Sequence, residues 1–450
     1  MKNAPLEELV VAAVKRAQTL GATDAECTAS EGAEFSVSVR KGEVEKLKEA
    51  GSKAVGLRVL IGKKQGSAYT SDLTPEGVEQ MVRAALELAH ITSEDPFAGL
   101  PDPAELGKLE GDLQLFYEET ALVPAEQKIS IARQAEAAAM AADERIANSE
   151  GAGFGSYAGS RVFANSRGFV GSYRTSSCSL STTPVAKLGD TMERDYWYTM
   201  ARQFSKLESP ESVGRKATER AVRRLGARKI DTQKAPIIFD RTLAPSLLGH
   251  IFDAASGETI YRKSSFFVDK LGQSVASEKL TLIDDATLVG RFGTSPYDDE
   301  GVTSRRTPIL EKGVLKNYML NTYTGRKLGM KTTGNASRGL SGAPSISHGN
   351  LFLEPGELTQ EQIFKAIGRG LFVTELIGFG VNIVTGDYSR GAVGLWIEGG
   401  EIAYPVSEIT IAGNLKEMLM DIAYVGSDLE FRGSVNSPTL AIGEMMISGQ

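Results

Sequence analysis

The sequence predicts an α+β fold of mixed, mainly antiparallel sheets with packed helices: an N-terminal α/β region followed by a C-terminal mixed β-rich domain. Three observations point there. Apolar and polar residues alternate in short runs, as at Ala25, Cys27, Ala29 and again at Phe35, Val37, Val39, the period of half-buried strands. Glycine makes up 48 of 450 residues, above the usual share of about 7%, and much of it falls between such runs, where hairpin turns need it. Other windows repeat at helical spacing, beginning with Leu6, Leu9, Val10, Ala13, Ala17 and Leu20. A chain of 450 residues exceeds one ordinary core. Composition divides it into an N-terminal α/β domain at 1–110, a central hairpin and helix domain at 111–228, and a C-terminal domain holding the cleft at 229–450.

The first helix ends where Gly21 suits a left-handed cap. The runs at 25–29 and 35–39 read as two strands joined by a hairpin. Residues 54–61 and 67–70 flank Gly62, Lys63, Lys64, Gln65 and Gly66 as a second hairpin, and Thr74 with Pro75 opens a helix to about residue 89. A polar passage at 95–112 leads to an Ala-rich helix over 124–142. A long hairpin follows, with arms at 154–164 and 169–181 turned by Asn165, Ser166, Arg167 and Gly168, and Trp197 marks a further strand. The helix over 212–226 is dense in Arg215, Lys216, Arg220, Arg223 and Arg224, and reads as a solvated face rather than a nucleic-acid patch. Beyond residue 235 come strands at 236–239, 314–320, 351–353, 371–376, 392–397, 402–404 and 439–442, with helices at 243–255, 359–370 and 414–422.

Composition excludes several classes. A net charge of -7 and a pI near 5.4 argue against a general phosphate-backbone binder, which needs clustered Lys and Arg. The start of the chain lacks a basic, then apolar, secretory pattern, and no stretch suits a membrane span. Cys27 and Cys178 form no disulfide framework or CxxC site, so a cytoplasmic location is expected. The spacings of a serine-hydrolase elbow, a dinucleotide fingerprint and a phosphate loop are all missing.

The informative segment is Leu247, Leu248, Gly249, His250, Ile251, Phe252, Asp253, Ala254. With it go Tyr261 to Phe266, Thr294 to Gly301, Thr385 to Gly391, Ala164 to Phe169 and Gly171 to Ser179. Together these blocks, spread over nearly the whole chain, resemble the PmbA/TldE family. The resemblance implies one half of a pair, whose sister TldD bears an intact HExxxH helix and a cysteine ligand near its C-terminus. In that motif imidazoles on one helical face hold Zn²⁺ while the Glu activates its bound water. Aligned on it, Gly249 occupies the first histidine, His250 the glutamate and Ala254 the second histidine, and neither cysteine lies near the C-terminus. The resemblance therefore implies no metal in this chain and zinc in the partner subunit. It also implies a heterodimer with a TldD-like sister, a homodimer of the lone chain being the other assembly left open. Implied substrates are unfolded or extended peptides, including peptide-toxin precursors and antitoxins, with no direct nucleic-acid or membrane contact.

His250 reads first as a hydrogen-bonded structural residue and only weakly as catalytic, since a metal needs three or more donors. A rewired site combining His250, His348 and Asp253 or Asp387 is the alternative. His90 suits the free carbonyls at the end of its helix. Asp387, Tyr388, Ser389 and Arg390 offer an acceptor, a ring, a hydroxyl and a cation in one loop between strands, able to hold an extended peptide or to form a structural Arg–Asp turn. Tyr261 and Arg262 are cleft candidates by position after the 243–255 helix. The rival readings are an autonomous metallopeptidase with an atypical site and a non-enzymatic, gyrase-related binding protein.

Overall fold

The computed structural model describes residues 4–449, and its architecture is the predicted α+β class. A seven-stranded antiparallel sheet runs through the first half in the order Lys64–Thr70, Glu43–Ile61, Asp24–Arg40, Ile146–Asn165, Val170–Leu188, Thr191–Arg194, with Trp197–Ala201 also paired to Val170–Leu188. The sheet is continuous across the 1–110 and 111–228 segments, because Asp24–Arg40 pairs with Ile146–Asn165 from Glu26 to Val39. Two helix pairs cover one face. Ala4–Thr19 and Pro75–Ile91 bury Val10, Ala13, Val82 and Ala85 against Ala25, Cys27, Val55 and Leu57. Ala125–Ala141 and Pro210–Val222 bury Ala132, Ala135, Val213 and Ala217 against Phe35, Val37, Val39 and Phe154.

The expected hairpin between 25–29 and 35–39 is absent: Asp24–Arg40 is one strand of 17 residues. The reason lies in parity. Positions 25, 27, 29, 35, 37 and 39 are all odd, so an unbroken strand puts both triplets on one face. The polar stretch between them crosses the gap between the two helix pairs. The other hairpins form as expected, with Gly62 and Lys63 turning Glu43–Ile61 into Lys64–Thr70 and Asn165 to Phe169 closing the long central pair.

In the C-terminal half, a five-stranded sheet runs Val314–Leu315, Arg306–Glu311, Leu282–Asp285, Leu351–Leu353, Val435–Asn436. A six-stranded sheet runs Glu401–Asn414, Asp387–Glu398, Arg369–Val381, Gln233–Phe239, Leu440–Ser448, Ile422–Val425. Glu401–Asn414 also pairs with Leu440–Ser448 at Thr410 to Ala412, so five of these strands close into a ring. Inside sit Ile237, Phe239, Leu371, Val373, Trp396 and Ile411, continuous with Leu247, Leu248, Ile251 and Ala254 of the Pro245–Ala255 helix. On the outside, Ile363 and Phe364 of Gln360–Ile367 cover Ile238, Phe372 and Leu395.

Three local expectations change. Only Val314–Leu315 of the 314–320 run is strand; Met319 instead bridges Ser256 and Leu320 takes bonds from Thr332 and Thr333, drawing the chain off the sheet. Asp387 to Arg390 are not a loop but the start of strand Asp387–Glu398, with Tyr388 turned inward. The Arg-rich helix is not simply solvated. Arg224 is buried, reaching Glu193 at 3.4 Å and Glu375 at 2.5 Å, and Arg220 reaches Asp195 at 3.3 Å. Those acids sit on neighbouring elements, so helical spacing alone gave no sign of them.

Candidate functional site

Helix Pro245–Ala255 starts with Pro245 at its first turn and turns Leu247, Leu248, Ile251 and Phe252 into the core. Its three aligned positions then differ in what they face. Gly249 looks into open space, since a Cβ built there meets no atom within 4 Å. His250 is half-buried, its Nε2 enclosed without a hydrogen-bond partner. Ala254 is sealed, 0% exposed within the main core, and its carbonyl accepts from Ser265 Oγ at 2.6 Å.

The structure brings the second candidate group to this helix. The His250 ring meets Tyr388 edge-on with centroids 6.3 Å apart. Tyr388 is 1% exposed and its hydroxyl, like His250 Nε2, has no partner among the described residues. Burial lowers the His250 pKa, Asp253 opposing and Arg390 reinforcing the shift, which favours the neutral imidazole. Burial likewise pushes the Tyr388 phenol up, against the pull of Arg390. The Arg–Asp turn does not form. Asp387 accepts instead from Thr385 Oγ1 at 2.6 Å and Asn414 Nδ2 at 3.3 Å, while Arg390 approaches Ile377 O at 3.5 Å and the Phe379 ring at 5.7 Å. Asp387 and Ser389 are exposed.

Tyr261 and Arg262 face elsewhere. Short helix Gly257–Tyr261 sets them beside a pocket of about 250 Å³ shared with Arg58, Asp95 and Glu300. Tyr261 packs edge-on with Tyr323 at 6.2 Å, and Arg262 pairs with Glu258 at 3.0 Å. His348 packs edge-on against Phe252 at 5.3 Å and its Nδ1 lies 3.0 Å from Gly349 O. Near it, Asp284 is buried and its carboxyl is pushed up to about 6 by burial, Asn335 Nδ2 donating to it at 2.7 Å. Among the described residues, no three His, Cys, Asp or Glu side chains gather in a group able to hold a metal ion. The donor set at the helix therefore does not fit zinc: one imidazole, with an open slot before it and a sealed one after it.

A buried ionic cluster went unseen in the sequence. Glu26, 0% exposed, meets Arg58 Nε at 2.8 Å and Arg338 Nη1 at 3.2 Å. Burial alone would raise the Glu26 carboxyl, but Arg58 and Arg338 outweigh it and hold the group below its usual range. Arg338 also donates through its backbone to Asp299 at 2.7 Å, and Glu300 accepts the Thr322 N–H at 2.9 Å. The cluster ties the first sheet to the 298–303 and 332–340 segments of the C-terminal half.

Comparison with known proteins agrees with this architecture. Family models match in order along the chain: PmbA/TldA metallopeptidase domain 1 over residues 25–89, the central domain over 118–225 and the C-terminal domain over 232–449. Metalloprotease PmbA of Escherichia coli O157:H7 is 42% identical over 446 residues, covering 99% of this chain and 96% of that protein. A metalloprotease TldD homolog of Buchnera aphidicola subsp. Acyrthosiphon pisum is 30% identical over 190 residues, 41% of this chain and 39% of its own. A Bacteroides thetaiotaomicron protein, described as a candidate modulator of DNA gyrase, superposes with a TM-score of 0.91 at 27% identity over 99% of both chains. TldE from Thermococcus kodakarensis shares the fold with a TM-score of 0.87 at 22% identity, over 99% of this chain and 100% of that one. The chain belongs to the PmbA/TldA metallopeptidase family.

Proposed function

We propose that this chain is the metal-free subunit of a cytoplasmic metallopeptidase complex, supplying a cleft wall and a partner interface while a TldD-like sister supplies zinc and the general base. The observation that carries this reading is the state of helix Pro245–Ala255, where Gly249 offers no ligand and the Ala254 position is filled by core. On this reading the nucleophilic water is activated by the sister's metal, and His250 takes no part in that step.

The chain's own contribution is positional. Its substrates are extended peptides, and a strand edge can hold one through main-chain bonds regardless of sequence. Gln233–Phe239 pairs with Arg369–Val381 only at Leu371 to Val373. Past that point the same edge has no ladder partner among the described residues, and it runs beside exposed Ile377 and Phe379. The test is to measure bound metal and peptide cleavage for the chain alone and mixed with its TldD-like sister. The lone chain is expected to hold no stoichiometric zinc and cleave nothing, with cleavage appearing in the mixture. Robust cleavage by the lone chain would refute the assignment and favour an autonomous site.

A further inference from the structure

A cleft of about 410 Å³ separates the Pro210–Val222 helix from the 240–242 and 359–361 segments, with Trp197, Lys216, Arg220, Arg223 and Arg241 on its walls. Three of these cations have counter-charges. Lys216 meets Glu208 at 2.7 Å, Arg220 meets Asp195 at 3.3 Å and Arg241 meets Glu430 at 3.2 Å. Arg223 does not. Its Nε and Nη2 are enclosed without a hydrogen-bond partner, and no carboxylate among the described residues lies within ion-pair distance of it.

The acids nearby are committed. Asp240 takes the Thr242 N–H and hydroxyl and lies 3.8 Å from Arg220, Asp428 takes those of Thr439, Glu219 faces Arg215 at 3.9 Å, and Glu361 is held by its own backbone N–H and Thr359. Burial pulls the Arg223 pKa down, reinforced by Arg220, and the more distant pull of Asp240 and Asp195 does not offset it, so the fold bears the cost of a cation without a direct counter-charge. A desolvated charge left unpaired is strongly unfavourable, and a guanidinium fork matches an oxyanion better than any other group. Its place at the end of the Pro210–Val222 helix satisfies the backbone only; capping does not account for two idle side-chain nitrogens.

We propose that Arg223 receives the oxyanion group of a ligand, a carboxylate or a phosphate, in this cleft. Trp197 lines the cleft and so reports on occupancy. The experiment titrates the full chain with inorganic phosphate in one arm and N-acetylglutamate in the other, at constant ionic strength, following tryptophan fluorescence and the melting temperature. Saturable binding in at least one arm is expected, weakened about tenfold to a hundredfold in Arg223→Gln, the usual worth of a charge-assisted hydrogen bond. Preference for phosphate points to a phosphorylated ligand, and preference for the carboxylate to an acidic peptide. Arg223→Met should melt no lower than the parent in anion-free buffer, since it removes an unpaired charge. The proposal falls if neither anion saturates, if Arg223→Gln binds as well as the parent, or if Arg223→Met melts lower without anion.

Discussion

Building an HExxxH motif into the Pro245–Ala255 helix by substitution tests whether the helix has room for metal ligands. Gly249→His places a side chain where a Cβ meets nothing within 4 Å, and replacing a helical glycine by histidine recovers about 0.3 kcal/mol of propensity. This change should be neutral or slightly stabilising. Ala254→His is the opposite case, because Ala254 is 0% exposed inside the main core. Overpacking there costs about 1–3 kcal/mol, and a buried polar ring without a partner costs about 1–3 kcal/mol more. Destabilisation of about 2–6 kcal/mol follows, a fall in melting temperature of roughly 5–20 °C for a domain of this size. Calorimetry on the two single variants and on the triple variant with His250→Glu reads both numbers, and metal analysis reads zinc. The triple variant should bind no stoichiometric zinc. A cost below about 1 kcal/mol for Ala254→His, or zinc retained by the triple variant, would show that the slot is open and that the packing argument is wrong.

Three further outcomes follow from buried polar groups. Glu26→Gln leaves Arg58 and Arg338 without their shared carboxylate and should cost about 3–5 kcal/mol in urea unfolding, with less than 1 kcal/mol arguing that the pair is idle. Asp284 has its carboxyl raised to about 6 from an unfolded value of 3.8, so the folded chain binds the proton more tightly. Stability from this group is therefore fully present below the unfolded value and is lost as pH rises through about 6. Asp284→Asn should flatten that part of the stability profile, and an unchanged slope would remove Asp284 as its source. Tyr388→Phe deletes a buried hydroxyl that has no partner and should change the melting temperature little or raise it, since there is no hydrogen bond to lose; a clear drop would reveal an unseen partner.

The sequence was legible where one local rule decides the outcome. Parity at Ala25 to Val39, the Gly62 turn, the Thr74 and Pro75 helix start and the Asn165 to Gly168 turn all act within a few residues, and the elements they specify are present. Even the one error there, a hairpin inserted into Asp24–Arg40, ignored a parity the chain had kept. What escaped notice depends on surfaces that meet only after the halves pack. Glu26 alternates with Ala25 and Cys27 and so reads as solvent-facing, yet Arg338 and the Leu340 backbone cover that face, the latter lying where any side chain at Gly56 would go. Arg220 and Arg224 look solvated on a helical wheel for the same reason.

The candidate site divides along the same line. The family resemblance directed attention to the helix and to positions Gly249, His250 and Ala254, because it speaks of residue type. It carried no information on which slot had closed. Were two ligands absent from such a helix, each position would answer to its own surroundings: one that faces open space can stay small at no packing cost, whereas one that faces the core is exposed to pressure to fill. Gly249 is open and Ala254 is sealed, so a histidine fits the first position far more easily than the second. Arg223 completes the contrast. It was read as one charge in a solvated run, yet it is the cation in its cleft that neighbouring acids leave unanswered among the described residues. Its significance appears only when each nearby carboxylate has been matched to a donor.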